Sequence, residues 1–341
     1  NIFQQLYNIV DTMVIGHVLG DEALASIGAT TPIYNLVIDF AYGLTNGFSV
    51  VVARCYGKKD MDALKRSTSL TMTLTLILSV ILTVVSVLGI NPLLRFLKTP
   101  DNIIADAQSY LMVILSFAIV TMTYNMFSGM LRAIGNSRVP LYFLVVSTIV
   151  NIVLDIVFVK YLSLGIVGAG YATVIAQVVS VVLCVLYIYT KEPMLKFDRN
   201  YLKYDKYLLS ELATTGASMG LMLAIVDVGS VTLQSAVNSF GSSTITAHAT
   251  ARKIDSIFMM PIGTLSATCS TFSSQNFGAN RMDRVKKGIT SAIIVAFVWS
   301  TIATILSFVC CDSISYAVTG TSDATILKTI KQYVTINVRC V

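Results

Sequence analysis

Long apolar stretches follow one another along nearly the whole chain, separated only by short polar breaks. About 20 apolar residues cross a hydrocarbon core of about 30 Å. A segment surrounded by lipid must satisfy its own backbone groups, which makes it a helix unless it closes into a barrel. Helices are therefore expected near 1–19, 24–53, 66–90, 104–131, 139–160, 166–190, 208–237, 243–275 and 288–310, with a tenth starting near 324. Runs such as 144–159 are rich in β-branched residues, but their length and lack of alternation favour helix over strand. Pro32 and Pro261 fall inside expected helices and are candidate kinks.

Composition supports an all-α, polytopic membrane protein. Hydrophobic residues make up 55% and charged residues 12%, against about 25% charged in an average soluble domain; the mean hydropathy is +0.75. The net charge of +6 does not point to nucleic acid, because the basic residues sit in breaks between apolar segments. Arg54, Lys58, Lys59, Lys65 and Arg66 fall in one break, and Arg132 and Arg138 in another. Lys191, Lys196, Arg199, Lys203 and Lys206 share a third, and Arg281, Arg284, Lys286 and Lys287 a fourth. These breaks alternate with poorly charged ones, so they are expected on the cytoplasmic side, with the first helix running outward. The expected location is the cytoplasmic membrane, with the N-terminus cytoplasmic. The six cysteines lack CxxC spacing and the two histidines lie far apart, so no permanent metal site and no disulfide frame is expected.

The chain also repeats itself. A shift of 221 residues carries Gly20 onto Gly241 and, without a gap, Cys55–Arg66 onto Asn276–Lys287, with Gly57 on Gly278. Six helices separate equivalent points, and an even number makes the repeats parallel, related by an axis along the membrane normal. The expected organisation is an N-terminal lobe over 1–190, a hydrophilic linker and hinge over 191–207, and a C-terminal lobe over 208–341.

Four acids lie within apolar stretches: Asp11, Asp39, Asp155 and Asp227. A charge at bilayer depth costs from about 2.5 to more than 10 kcal/mol, so such residues usually mark an ion or proton path. Asn151 and Asp155 are four apart and share a helix face. At about 1.5 Å per residue, Asp11, Asn151, Asp155 and Thr173 reach one level in the outer half of the first lobe. Two carboxylates, an amide oxygen and a hydroxyl suit a small hard cation, and the acid pair alone suits a shared proton. A helix-packing cluster without ion traffic is the structural alternative, most plainly for Thr173. Asp39 lies beside Tyr34, Asn35, Tyr42 and Asn46, and with Asp227, Met259 and Met260 it is a candidate for a substrate cavity; Asp39 and Asp227 alternatively serve as a polar helix contact and an ion ligand. Arg252 and Asp255 can form an intrahelical pair.

Leu6-Tyr7-Asn8-Ile9-Val10-Asp11, Gly129–Pro140, Asn151-x-x-x-Asp155 and Ser274–Asn280 together resemble the multidrug and toxic compound extrusion (MATE) family. The resemblance implies twelve helices in two six-helix lobes, so the start of the first helix, most of the tenth and the last two are expected to be missing from this sequence. It implies a cation site matching Asp11, Asn151, Asp155 and Thr173, and H⁺- or Na⁺-coupled export of amphipathic, often cationic molecules by a monomer in a lipid bilayer. No phosphate-binding GxxxxGK[ST], HExxH or GxSxG motif occurs, so neither ATP-driven pumping nor an enzyme is expected. The alternatives are a lipid-linked saccharide flippase of similar two-lobed build, which would need a more basic cavity, and a membrane-embedded transferase.

Overall fold

The computed structural model describes residues 18–19, 21–97, 99, 101–202, 205–237 and 242–319. Nine α-helices are found among them: α1 Asp21–Gly57, α2 Met61–Phe96, α3 Asp101–Ser116, α4 Ala118–Ala133, α5 Arg138–Asp155, α6 Gly165–Lys191, α7 Lys206–Val237, α8 Ser242–Gly278 and α9 Met282–Thr319. Six described helices are long and apolar enough to span a membrane, and α3 with α4 makes a seventh span bent by 45°. The expected helix over 104–131 is thus two helices. The break falls at Phe117, where the Phe117 N–H donates to the Ile114 carbonyl, 3.2 Å, three residues back. This tight turn interrupts the i−4 ladder. α1 and α8 run on through Pro32 and Pro261 without interruption.

The chain divides into two compact units, and the division does not follow helix ends. One unit holds residues up to Asp227 together with Ser274–Asn280; the other holds Val228–Ser273 and the residues from Arg281 on. In the first unit the basic breaks gather at one end. Phe48, Val51, Val52 and Cys55 of α1 pack there with Leu64 and Leu70 of α2, Ala133 of α4, and Leu208 and Leu212 of α7. At the other end Ile33 and Val37 of α1 meet Ile90 and Leu94 of α2 and Leu111 and Leu115 of α3. Leu76, Ile77, Val80, Ile81, Val84 and Val85 of α2 stay more than half exposed or nearly so, a lipid-facing stripe rather than an unfinished core. In the second unit the Trp299 indole N–H of α9 donates to the Phe258 carbonyl of α8, 2.8 Å.

The hydrophilic stretch 191–207 is strapped to the first unit. Leu195, in a 3₁₀ turn, is fully buried against Met130, Leu131 and Ile188. The Ser69 hydroxyl donates to the Asp198 carbonyl and accepts from the Asp198 N–H, both 3.2 Å. The Tyr201 hydroxyl donates to the Asp62 carboxylate, 3.0 Å, and Lys65 lies over the Tyr201 ring.

Asp205 caps α7, its carboxylate accepting the Leu208 N–H at 3.0 Å. That hydrogen bond first, and then Arg66, hold the Asp205 carboxyl below its ordinary value of 3.8. A depressed folded pKa gives stability that is present above 3.8 and fades as pH falls through the folded value. Amide exchange in the first turn of α7 should therefore accelerate below that pH. Asp205→Ala should produce the same fraying at neutral pH, costing about 1 kcal/mol, whereas Asp205→Asn keeps a cap. Equal protection in the alanine variant would remove the cap assignment.

Candidate cation site and cavity face

α5 and α6 pack side by side through small and polar residues, as membrane helices do. The Ser147 hydroxyl donates to the Ala176 carbonyl, 2.7 Å, and the Ser180 hydroxyl to the Phe143 carbonyl, 3.3 Å. The same seam brings together Asn151 and Thr173, two of the four expected site residues. Asn151 is 2% exposed, Asp155 0% and Thr173 4%. The Asn151 amide nitrogen lies 3.5 Å from the Thr173 hydroxyl, at the limit of a hydrogen bond. The Asn151 Oδ1 is buried and accepts no hydrogen bond among the described residues. A buried amide oxygen left without a donor costs on the order of 1–3 kcal/mol; a bound cation relieves such an oxygen.

Asp155 is the last residue of regular α-helix, and a π-helical turn, Ile156–Tyr161, follows at once. The Leu162 N–H there donates to the Val157 carbonyl, 2.9 Å, five residues back. Such wide turns are frequent at functional sites. Ser163 and Gly165 then take positive φ, 51° and 61°, to reverse the chain into α6. Val159 and Ala169, at this end, pack with Ala23 of α1, and Leu19 lies against them. Asp11, the fourth expected member, lies outside the described residues.

The second group of expected residues divides between two faces of α1. Asn35, Asp39, Tyr42 and Asn46 share the face turned to α7: the Asn46 amide reaches the Met219 sulfur, 3.8 Å, and Asp39 is in electrostatic contact with Asp227. Tyr34 instead packs toward α3 and α6, against the clusters built on Leu111 and on Tyr110, Ile114 and Ile166. Asn35 is exposed and Asp39 and Asp227 are half-buried. Met259 and Met260 belong to the second unit, Met259 exposed and Met260 half-buried. Arg252, in that unit, donates to the Ser230 hydroxyl, 3.0 Å; the Asp255 side chain lies outside the described residues.

Sequence reasoning missed how α1 and α7 approach. A methyl group on Gly43 would lie 2.6 Å from the Gly220 Cα, and one on Gly47 would lie 2.6 Å from the Gly216 Cα. The two helices cross backbone to backbone through paired G-x-x-x-G motifs, and that spacing was the signal available. The polar face of α1 begins one turn from this crossing. Also unforeseen, the Thr121 hydroxyl of α4 donates to Gln177 Oε1 of α6, 2.5 Å.

A groove of about 520 Å³ lies in the second unit, between α8 and α9, lined by Leu265, Cys269, Phe272 and Val295 with Arg284 and Lys287 at its rim. Under the 221-residue shift Cys269 and Phe272 correspond to Phe48 and Val51, which are core residues in the first unit. The groove is accordingly a helix-packing surface, and none of the four acids lines it.

Comparison with known proteins agrees with this architecture. The probable multidrug resistance protein YoeA of Bacillus subtilis is 31% identical over 91% of this chain and 68% of its own length. The probable multidrug resistance protein YpnP of the same organism is 27% identical over 84% of this chain and 64% of its own. This chain thus spans about two thirds of the length of these relatives. Among solved structures, an outward-facing multidrug resistance MATE family transporter of the MOP superfamily superposes with a TM-score of 0.89 at 23% identity, over 98% of this chain and 74% of that one. The MatE family model matches residues 1–157 and 218–341, so this all-helical, multi-pass membrane protein belongs to the MATE family of transporters.

Proposed function

We propose that the protein is an exporter of the cytoplasmic membrane, N-terminus inside, driven by inward movement of H⁺ or Na⁺ and expelling amphipathic, often cationic organic molecules. Its two lobes are taken as 1–190 and 208–341, joined by 191–207. The observation that carries the reading is the Asn151 Oδ1, buried at bilayer depth with no donor among the described residues, one turn from the fully buried Asp155. Asn151, Asp155 and Thr173, completed by Asp11, form the coupling site in this reading. Filled with a cation or a proton, the site relieves its acids; emptied, it restores a strain of several kcal/mol that favours rearrangement.

The cargo side rests on α1. Asp39 and Asp227 put two negative groups beside Asn35, Tyr42 and Asn46. Such a surface attracts organic cations and repels anions. A flippase for a pyrophosphate-linked lipid would need the opposite sign there, and Arg54, the basic residue nearest along α1, is already paired with Glu211.

The test is transport in everted vesicles carrying the full-length protein, with a pH gradient and a Na⁺ gradient imposed separately. One of the two should drive accumulation of an organic cation such as ethidium. No accumulation under either gradient would sink the exporter reading.

A further inference from the structure

A stripe of exposed apolar residues runs down α6: Ile175, Val178, Val182, Leu186 and Tyr189, three or four apart. That spacing makes one helix face, and on a helix long and apolar enough to cross a membrane such a face meets lipid. The stripe ends at Tyr189, and Lys196 of the 191–207 segment sits over it. The Lys196 Nζ lies 5.5 Å from the centre of the Tyr189 ring, within reach of a cation–π contact. Phe197, next along the chain, is exposed. An aromatic side chain in the open beside a lipid-facing stripe suits the boundary between acyl chains and headgroups.

The segment is held in place. Leu195 on one side is buried in the first unit, and the paired Ser69–Asp198 hydrogen bonds fix the other. Lys196 and Phe197 lie between these two anchors, and Arg199 directly after them. Charge is sorted across the same stretch. Nearby acids are engaged by the protein: Asp198 accepts the Asn200 N–H, 2.9 Å, Asp62 the Tyr201 hydroxyl, and Asp205 the Leu208 N–H and Arg66. Lys196 and Arg199 form no ion pair among the described residues. Arg199 is exposed and Lys196 half-buried. Two cations, at most about 11 Å of extended chain apart, are thus presented at the rim of an apolar stripe. An Arg fork and a Lys ammonium are the groups that bind a phosphodiester.

We propose that the Lys196–Arg199 segment and the end of α6 form a binding site for an anionic phospholipid. Its phosphodiester rests on Lys196 and Arg199, and an acyl chain runs along Leu186 and Val182. Charge complementarity selects this occupant. A zwitterionic lipid offers the same phosphate but adds a cation that the two bases repel, and a free phosphate makes no use of Phe197 or the stripe. The inference rests on the proposed orientation, which turns this end to the inner leaflet, where anionic lipids attract basic residues. A bound lipid ties the 191–207 segment to the membrane surface.

The experiment is native mass spectrometry of the full-length protein in a neutral detergent, with dioleoylphosphatidylglycerol or dioleoylphosphatidylcholine added. The parent should retain phosphatidylglycerol at least about tenfold more tightly. Lys196→Gln with Arg199→Gln should erase most of that preference, since each basic group near a membrane surface contributes about fivefold. Lys196→Arg with Arg199→Lys keeps both charges and should retain it. Lys58→Gln with Lys59→Gln removes the same charge from exposed positions of the same unit and should change nothing. Phe197→Ser should weaken phosphatidylglycerol several-fold, and inorganic phosphate at equal concentration should not displace it. Equal retention of the two lipids by the parent, or equal losses in the two glutamine variants, would overturn the site as mere surface charge. Displacement by phosphate, with Phe197→Ser binding as the parent does, would overturn the lipid in favour of a soluble anion. No gradient or drug enters this assay, so a parent that binds phosphatidylglycerol but exports nothing in vesicles sinks the exporter reading alone.

Discussion

Asp155→Asn in the full-length protein should abolish gradient-driven efflux while leaving drug binding nearly unchanged. The carboxylate is fully buried, one helical turn from Asn151, whereas Asp39 lies on the face of α1 turned to α7. Removing its charge removes the reason for a cation to enter, without touching the cargo surface. Coupling free energies of about 1–3 kcal/mol correspond to about 5- to 150-fold, so efflux driven by the gradient should fall by at least about tenfold. Drug affinity measured by fluorescence polarisation should move less than about twofold. Asn151→Leu should act in the same direction, since it removes the amide oxygen but keeps an apolar residue of similar size. Normal export by Asp155→Asn would mean that this acid does not couple.

The second large effect concerns stability. Gly43→Leu should disrupt the crossing of α1 and α7, because even its Cβ would fall 2.6 Å from the Gly220 Cα. Overpacking among side chains costs typically about 1–3 kcal/mol. Here the opposing atoms are backbone and cannot rotate aside, so the cost should exceed that range. The purified protein should melt several degrees lower and lose export. Gly28→Leu, which meets nothing within 4 Å, should be tolerated. Equal melting of Gly43→Leu and the parent would show that the helices do not need their close approach.

The features legible in the sequence were those with a strong physical signal. Helices α1, α2 and α5–α7 follow from apolar length, and the gathering of Lys58, Arg66, Arg132 and Arg138 at one end follows from charge alone. The positions of Asn151 and Thr173 along their helices bring these two residues within 3.5 Å of each other; Asp155 lies one turn on and is fully buried. The repeat foretold that Gly57 and Gly278 occupy equivalent turns; their close approach to the Gln275 and Arg54 carbonyls needed the structure. Gly20 and Gly241 lie outside the described residues.

Other features left no trace in residue type. The bend at Phe117 lies in Ser-Phe-Ala-Ile, with neither proline nor glycine to mark it, and the π turn after Asp155 begins in an ordinary Ile-Val-Phe-Val run. Both depend on how neighbouring helices pack, which a one-dimensional reading does not see. Pro32 and Pro261, the two expected kink positions, lie inside α1 and α8, which continue through them. The strapping of 191–207 hangs on Leu195 and Ser69, whose partners are distant in sequence or unremarkable in type.

In the proposed exporter the driving ion binds at Asp155 and its neighbours and is exchanged for cargo, and ion release on drug binding tests this most directly. The full-length protein, purified and weakly buffered, is mixed with a saturating organic cation while a pH dye and a Na⁺ electrode follow the solution. Protons or Na⁺ should be released by the parent, and release should disappear in Asp155→Asn although the drug still binds. Release of equal size from parent and variant, or drug binding by the parent with no ion released, would contradict the assignment of coupling to Asp155 and its neighbours.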